Sequence, residues 1–207
     1  MNDVTIKISG TNTIHAQQNN AIYNNDDCSL SVVGPNAHLI LKGGLVSKDK
    51  AGRQAFQNHG TVTISECDME ASAGINALSF GEWKFDRCNV RAKADGDEKY
   101  PFAGSIAYLT KIPEFIGCTL ATEAGTHWLE FADEYGTNYT LVDANDKPIT
   151  DRVTITTDLS GIGSTTVQTP TAAQGIYTIS GVRLSDSVSQ LPKGLYIVNG
   201  KKVVVSK

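Results

Sequence analysis

The chain has 207 residues, with 18 Lys plus Arg against 22 Asp plus Glu and a net charge of −4. Its only conspicuous basic pair is Lys201-Lys202, so nucleic acid is excluded as an expected partner. The apolar fraction of 40% suits a globular core, and no run reaches the roughly 18 to 20 apolar residues of a spanning helix, so no membrane span is expected.

The length allows one sizeable core plus an appendage. Met1-Asn2-Asp3-Val4-Thr5-Ile6 has neither the basic nor the apolar region of a secretory leader and enters a strand pattern at once. A removed leader or a start within a longer protein is the expectation. Gly10 to Ala16 and Asn20-Ala21-Ile22 open a series of similar segments. Asn25-Asp26-Asp27 reads as a turn rather than a carboxylate pair, because no second acidic cluster lies in register with it. After a polar insert at 48–53 the second segment returns as Gln54-Ala55-Phe56, and Asn58-His59-Gly60 reads as a turn.

The series becomes explicit at the cysteines. Ile64 to Ala71, Phe85 to Ala92 and Phe115 to Thr122 each read apolar, two residues, Cys, any residue, apolar, with steps of 21 from Cys67 to Cys88 and 30 from Cys88 to Cys118. A second column runs through Asn76-Ala77-Leu78, Ile106-Ala107-Tyr108 and Trp128-Leu129-Glu130. The insert at Lys93–Lys99 carries Asp95, Asp97 and Glu98 without the remaining ligands of a calcium loop. Trp83 stands one step of 21 beyond Val62, which predicts a core position.

A period of about 21 with short alternating segments and no helical periodicity predicts an all-β fold: a right-handed parallel β-helix of about five coils, like residue stacked on like. A leucine-rich repeat lacks its leucine spacing here, and a β-sandwich does not explain the in-register cysteines. Cys67, Cys88 and Cys118 are then expected as a core thiol ladder, with Asn12 as the matching position of the first coil and no zinc site. None of His15, His38, His59 and His127 recurs in a column. Tyr139–Asp143 and Val153–Thr156 are expected to close the open end. The helix is thus assigned to 1–158 and a Ser, Thr, Gly and Gln-rich linker to 159–174.

Residues 175–207 read as a small antiparallel β module: Ile176 to Ile179, then Leu191-Pro192-Lys193-Gly194 turning into Leu195 to Val198, then Asn199-Gly200 as a hairpin turn into Lys201 to Val205. Tyr177, Gly181-Val182-Arg183-Leu184, Pro192-Lys193-Gly194-Leu195-Tyr196 and Gly200-Lys201-Lys202 resemble the C-terminal sorting domains of the bacterial type IX secretion system. Val182 departs from the pattern, since such tails usually place a basic residue directly after the glycine; Arg183 stands next to it. The resemblance implies export, with the secretion machinery as partner and an extracellular or outer-membrane surface location. It implies nothing about the activity of the rest.

Parallel β-helices resemble a group that includes polysaccharide lyases, hydrolases and adhesins, so aromatic residues are the candidates for a glycan platform. If the column of Asn20, Gln54 and Asn76 faces outward, Trp128 with Tyr100 and Tyr135 forms such a platform; if inward, Asn20 and Asn76 form an amide ladder. No catalytic residue, metal or cofactor is assigned. The expectation is a non-catalytic exported module that contacts a surface polysaccharide or protein; the alternative is the C-terminal part of a secreted polysaccharide lyase or glycoside hydrolase.

Overall fold

A computed structural model describes residues 2–45, 52–134, 136–157, 176–178, 183–184, 191–198 and 201–205. The chain divides into two compact units, Met1–Gly163 and Ser164–Lys207. All regular elements among the described residues are strands. The expected 159–174 linker, Tyr135, Gly181 and Gly200 lie outside the described residues.

The first unit contains β1 (Asn2–Lys7), β2 (Thr11–His15), β3 (Ile22–Asn24), β4 (Cys28–Lys42), β5 (Phe56–Asn58), β6 (Thr61–Ala73), β7 (Leu78–Ser79) and β8 (Glu82–Asp86). It continues through β9 (Asn89–Ala94), β10 (Ile106–Ala107), β11 (Glu114–Ile116), β12 (Thr119–Ala121), β13 (His127–Asp133), β14 (Gly136–Val142) and β15 (Val153–Thr156). Two parallel sheets dominate. In one, β1 and β2 pair with the two halves of β4, β4 with β6, and β6 with β8 and β9. In the other, β3, β5, β7 and β10 stack in that order.

Parallel pairing in fixed register places side chains of one kind in columns, because alternate residues of each strand point to the same face. Ile6, Val32, Ile64, Phe85 and Phe115 form one column. Ile22, Phe56, Leu78 and Ile106 form another in the facing sheet. Phe56 and Phe85 are wholly buried, each contributing roughly 1.5 to 3 kcal/mol of burial. Trp83 lies opposite Val62 and is buried, packed edge-on to Phe56 at 4.9 Å.

Ala37 pairs with Cys67, and the same register, continued from Asp68 opposite Asn89 and from Ile116 opposite Asp86, stacks Cys88 on Cys67 and Cys118 on Cys88. All three are free and buried. The chain bends immediately before each stacked position: Asn36, Glu66, Arg87 and Gly117 all have positive φ, between 48° and 59°. Asn12 is not part of this column. It lies opposite Leu39, because β2 enters its sheet from the bend at Gly10.

The last strands, β13 to β15, all pair antiparallel. β13 and β14 form an antiparallel hairpin, Trp128 opposite Leu141, joined to the β10 region by the bridge between Leu109 and Tyr139. Trp128 therefore does not continue the column of Asn20, Gln54 and Asn76. Nor does Ala107 continue that of Ala77: Leu78 faces Ile106, so Ala107 stands over Ser79. β15 lies antiparallel on β9, the last parallel strand of its sheet, with β12 on its other side. Asn89 marks the fork where the layers part, donating Nδ2 to Asp68 Oδ1 (2.8 Å) while its Oδ1 accepts the Thr157 backbone N–H (2.9 Å).

The second unit is an antiparallel sheet of β16 (Ile176–Thr178), β17 (Arg183–Leu184), β18 (Gly194–Val198) and β19 (Lys201–Val205), in the order β17-β16-β18-β19. Val198 faces Lys201 across the hairpin, and Lys202 faces Ile197. Tyr196 folds back to donate its hydroxyl to the Pro192 carbonyl at 3.0 Å. A Cβ at Gly194 would meet that ring at 3.2 Å. The Pro-Lys-Gly-Leu-Tyr run is thus a local packing unit, in which a small residue makes room for the ring two positions later.

Candidate functional site

The register that aligns Ile22, Phe56, Leu78 and Ile106 aligns the residues two positions earlier as well: Asn20, Gln54, Asn76 and Gly104. Each asparagine in this column holds the layer that follows it. Asn20 Oδ1 accepts the Gln54 backbone N–H at 3.0 Å, and Asn76 Oδ1 accepts the Gly104 N–H at 2.9 Å. These bonds fix the orientation of both amides, since each oxygen has its donor. Asn20 donates Nδ2 to Gln57 Oε1. Asn76, 1% exposed, has no acceptor for its Nδ2 among the described residues.

Beside the amides runs an aromatic row. Tyr23 and His59 lie 5.4 Å apart, His59 and Phe80 5.1 Å, and Phe80 and Tyr108 5.7 Å, the last two pairs face to face. Phe80 and Tyr108 are held at φ of 61° and 58°, a backbone conformation costly for bulky side chains. The row ends against Phe131, edge-on to Tyr108 at 5.4 Å. The Tyr108 backbone N–H is fixed on Thr140 Oγ1 (3.0 Å), which itself donates to the Phe102 carbonyl (3.2 Å). Burial pushes the Tyr108 phenol above its ordinary pKa; the Phe102 backbone opposes this, and Asp133 and Tyr100 add to the rise. Gln57 joins row to amides, its Nε2 lying 2.7 Å from His59 Nε2.

Between these features lies a groove of about 530 Å³ lined by the amide column, by Phe80, Tyr100 and Tyr108, and by Arg53, Asp133 and Glu134. Its size falls within the ordinary range of ligand pockets. Because the stacked rings cover one another's faces, they offer mainly their edges to it, and the amides supply directed donors and acceptors.

Of the three rings expected as a platform, Tyr100 is 47% exposed and lines this groove. Trp128 is half-buried and packed against the core. The column of Asn20, Gln54 and Asn76 opens onto the cavity, and its two asparagines accept backbone N–H groups of the following layer. Asn25-Asp26-Asp27 forms a turn, with Asp27 at φ 59° and Asp26 Oδ1 3.9 Å from His59 Nδ1. His127 pairs with Asp146 at 3.0 Å, and His38 lies 3.9 Å from Glu70. In the insert, Asp97 bridges to Tyr100 and caps the Lys99 N–H. Among the described residues no three His, Cys, Asp or Glu side chains are placed to hold a metal ion.

The row of Tyr23, His59, Phe80 and Tyr108 was missed because its members differ in type. One signal was available: Asn58-His59-Gly60 and Ser79-Phe80-Gly81 are 21 residues apart, the same step as Cys67 to Cys88. Comparison with protein families, curated proteins and solved structures gives no match to this chain.

Proposed function

We propose that the chain is an exported, non-catalytic right-handed parallel β-helix module that works at the cell surface or outside it and holds a glycan in the groove beside Asn76 and Tyr108. The in-register columns support the β-helix reading, since solenoid layers stack like on like. The resemblance of the tail at Arg183, Pro192, Gly194, Tyr196, Lys201 and Lys202 supports export. The observation that carries the glycan reading is the groove itself, where fixed amides, tyrosines and carboxylates line one cavity, a mixture suited to many hydroxyl groups. Affinity electrophoresis of the whole chain and of Tyr100→Ala in gels containing different polysaccharides tests it. Retardation by at least one polysaccharide, reduced in the variant, is expected; no retardation in any gel overturns it. For the tail, residues 175–207 fused to a reporter in a bacterium with type IX secretion should send the reporter to the surface, and retention in the periplasm overturns that part.

A second reading, the C-terminal part of a polysaccharide lyase or glycoside hydrolase, draws on Arg53, Asp133 and Glu134 sharing that groove. The two carboxylates are consecutive in the chain, whereas hydrolysis uses a pair placed on either side of the scissile bond. Release of reducing ends or of unsaturated sugar from a retained polysaccharide would favour this reading over the first.

A further inference from the structure

We infer that the groove selects a sugar bearing an acetamido group, and that the Asn76 amide is the donor that recognises the acetyl carbonyl. This rests on the glycan reading and deepens it.

Asn76 is the built part of the site. Its Oδ1 is committed to the Gly104 N–H at 2.9 Å, so its Nδ2 cannot exchange places with the oxygen without losing that bond. Among the described residues the Nδ2 has no acceptor, and the residue, 1% exposed, lines the cavity. A ligand carbonyl in the groove would give that N–H an acceptor.

The recess decides what kind of oxygen fits. A ring hydroxyl lies close to the sugar ring and reaches a deeply set donor poorly, whereas an acyl group projects from the ring and carries its carbonyl outward. Ile75, next to Asn76 and also lining the groove, is buried and apolar, which suits the acetyl methyl. Arg53 also lines the groove and carries further donors, and Glu134 carries an acceptor for an amide N–H or hydroxyls. A carboxylate in place of the acetamido would also accept from Asn76 and Arg53. It would bring a negative charge into a cavity lined by Glu134, a repulsion that the neutral acyl group avoids.

The test is titration calorimetry of the full chain with three β-1,4-linked hexamers, of N-acetylglucosamine, of its de-acetylated counterpart and of glucose, and, for charge, with α-1,4-linked galacturonate hexamer as a fourth ligand. The N-acetylated hexamer is expected to bind at least about ten-fold more tightly than the others, since a site built around a hydrogen bond rejects analogues that lack the partner. Asn76→Asp keeps the oxygen that holds Gly104 and removes the donor; it should abolish that preference. If Asn76→Asp lacks the native circular dichroism spectrum, Arg53→Gln serves instead and should reduce the same preference. Equal or tighter binding of the glucose, glucosamine or galacturonate hexamer, or a preference untouched by the variant, overturns the acetamido inference and leaves the glycan reading standing. Binding of none of these hexamers, with no retardation in the polysaccharide gels, overturns both.

Discussion

Asn24 donates its Nδ2 to Asn58 Oδ1 across 2.8 Å, and both side chains are buried between the layers they join. Asn58 also donates to the carbonyls of Gly60 and Glu82, at 3.1 Å each, and accepts the Gly60 N–H at 3.0 Å. One amide thus serves three backbone groups from two layers. Asn58→Ala is expected to lower unfolding free energy by about 3 kcal/mol, because several buried polar groups lose partners together. Asn12→Ala, whose bonds to Ser9 and Gly10 are exposed, should cost less than about 1 kcal/mol. Urea unfolding of the two variants measures the difference; equal losses would contradict this account.

Ser79 presents the opposite case: its Oγ is buried with no hydrogen-bond partner among the described residues. Ser79→Ala removes a hydroxyl that gains nothing from the fold, and is expected to leave stability unchanged or raise it by about 1 kcal/mol. A thermal melt lowered by the substitution would show that the hydroxyl has a partner in solution.

The thiol stack sets a stability limit at high pH. Burial, aided by Asp68, pushes the Cys67 thiol up to about 11, and burial pushes Cys88 up as well, with Cys118 and Cys67 adding to the rise. A raised thiol pKa means that the native state holds its proton after the unfolded chain has released it. The stabilisation is therefore complete below the unfolded thiol pKa of roughly 8.5 and is lost as pH rises toward 11 for Cys67. The slope should be about 1.4 kcal/mol per pH unit for each such thiol. Cys67→Ala and Cys88→Ala should flatten the fall in unfolding free energy between pH 9 and 11. At pH 7.5, roughly one unit below that unfolded pKa, these thiols should react with a disulfide reagent only at the rate of unfolding.

At the bends before the stack, Glu66 and Arg87 occupy left-handed backbone where Gly117 stands one layer later. Their mutual ion pair at 3.0 Å is exposed and is worth little. Glu66→Gly is therefore expected to be neutral or stabilising by up to about 1 kcal/mol, and Glu66→Val to cost roughly 1 to 2 kcal/mol, since a β-branched side chain resists this conformation. Equal effects of the two substitutions, in chemical denaturation, would remove the bend from the argument.

The parallel stacking was legible where one residue type recurs at one step. Cys67 and Cys88 announce their register because thiols are uncommon and the step is unbroken. The facing sheet was legible as far as Ala77, then slipped: the insert before Ile106 changes the spacing, and Ile106-Ala107 offers the same small and large residues as Ala77-Leu78 in reversed order. Trp128-Leu129 was misplaced for a deeper reason. A short apolar run states that a strand is buried but not which way it runs, and the antiparallel direction of β13 is set by its hairpin with β14. The groove was half legible, Tyr100 and the amide column being singled out, but its depth depends on the left-handed bends at Phe80 and Tyr108, which no side-chain pattern encodes.

The placement of β15 between β9 and β12 has a consequence for how the protein is made. Each strand from β4 to β11 can settle on an earlier strand as it emerges from the ribosome, since each has one partner already synthesised. β12 cannot: its hydrogen-bonded neighbour is β15, and Val153 follows Ala121 by 32 residues. Thr119–Ala121 must wait, its backbone groups on water, until the chain has turned back and slid a strand into the opening beside Asn89. The pairing of β12 thus depends on a contact far apart in sequence, the kind that forms slowly.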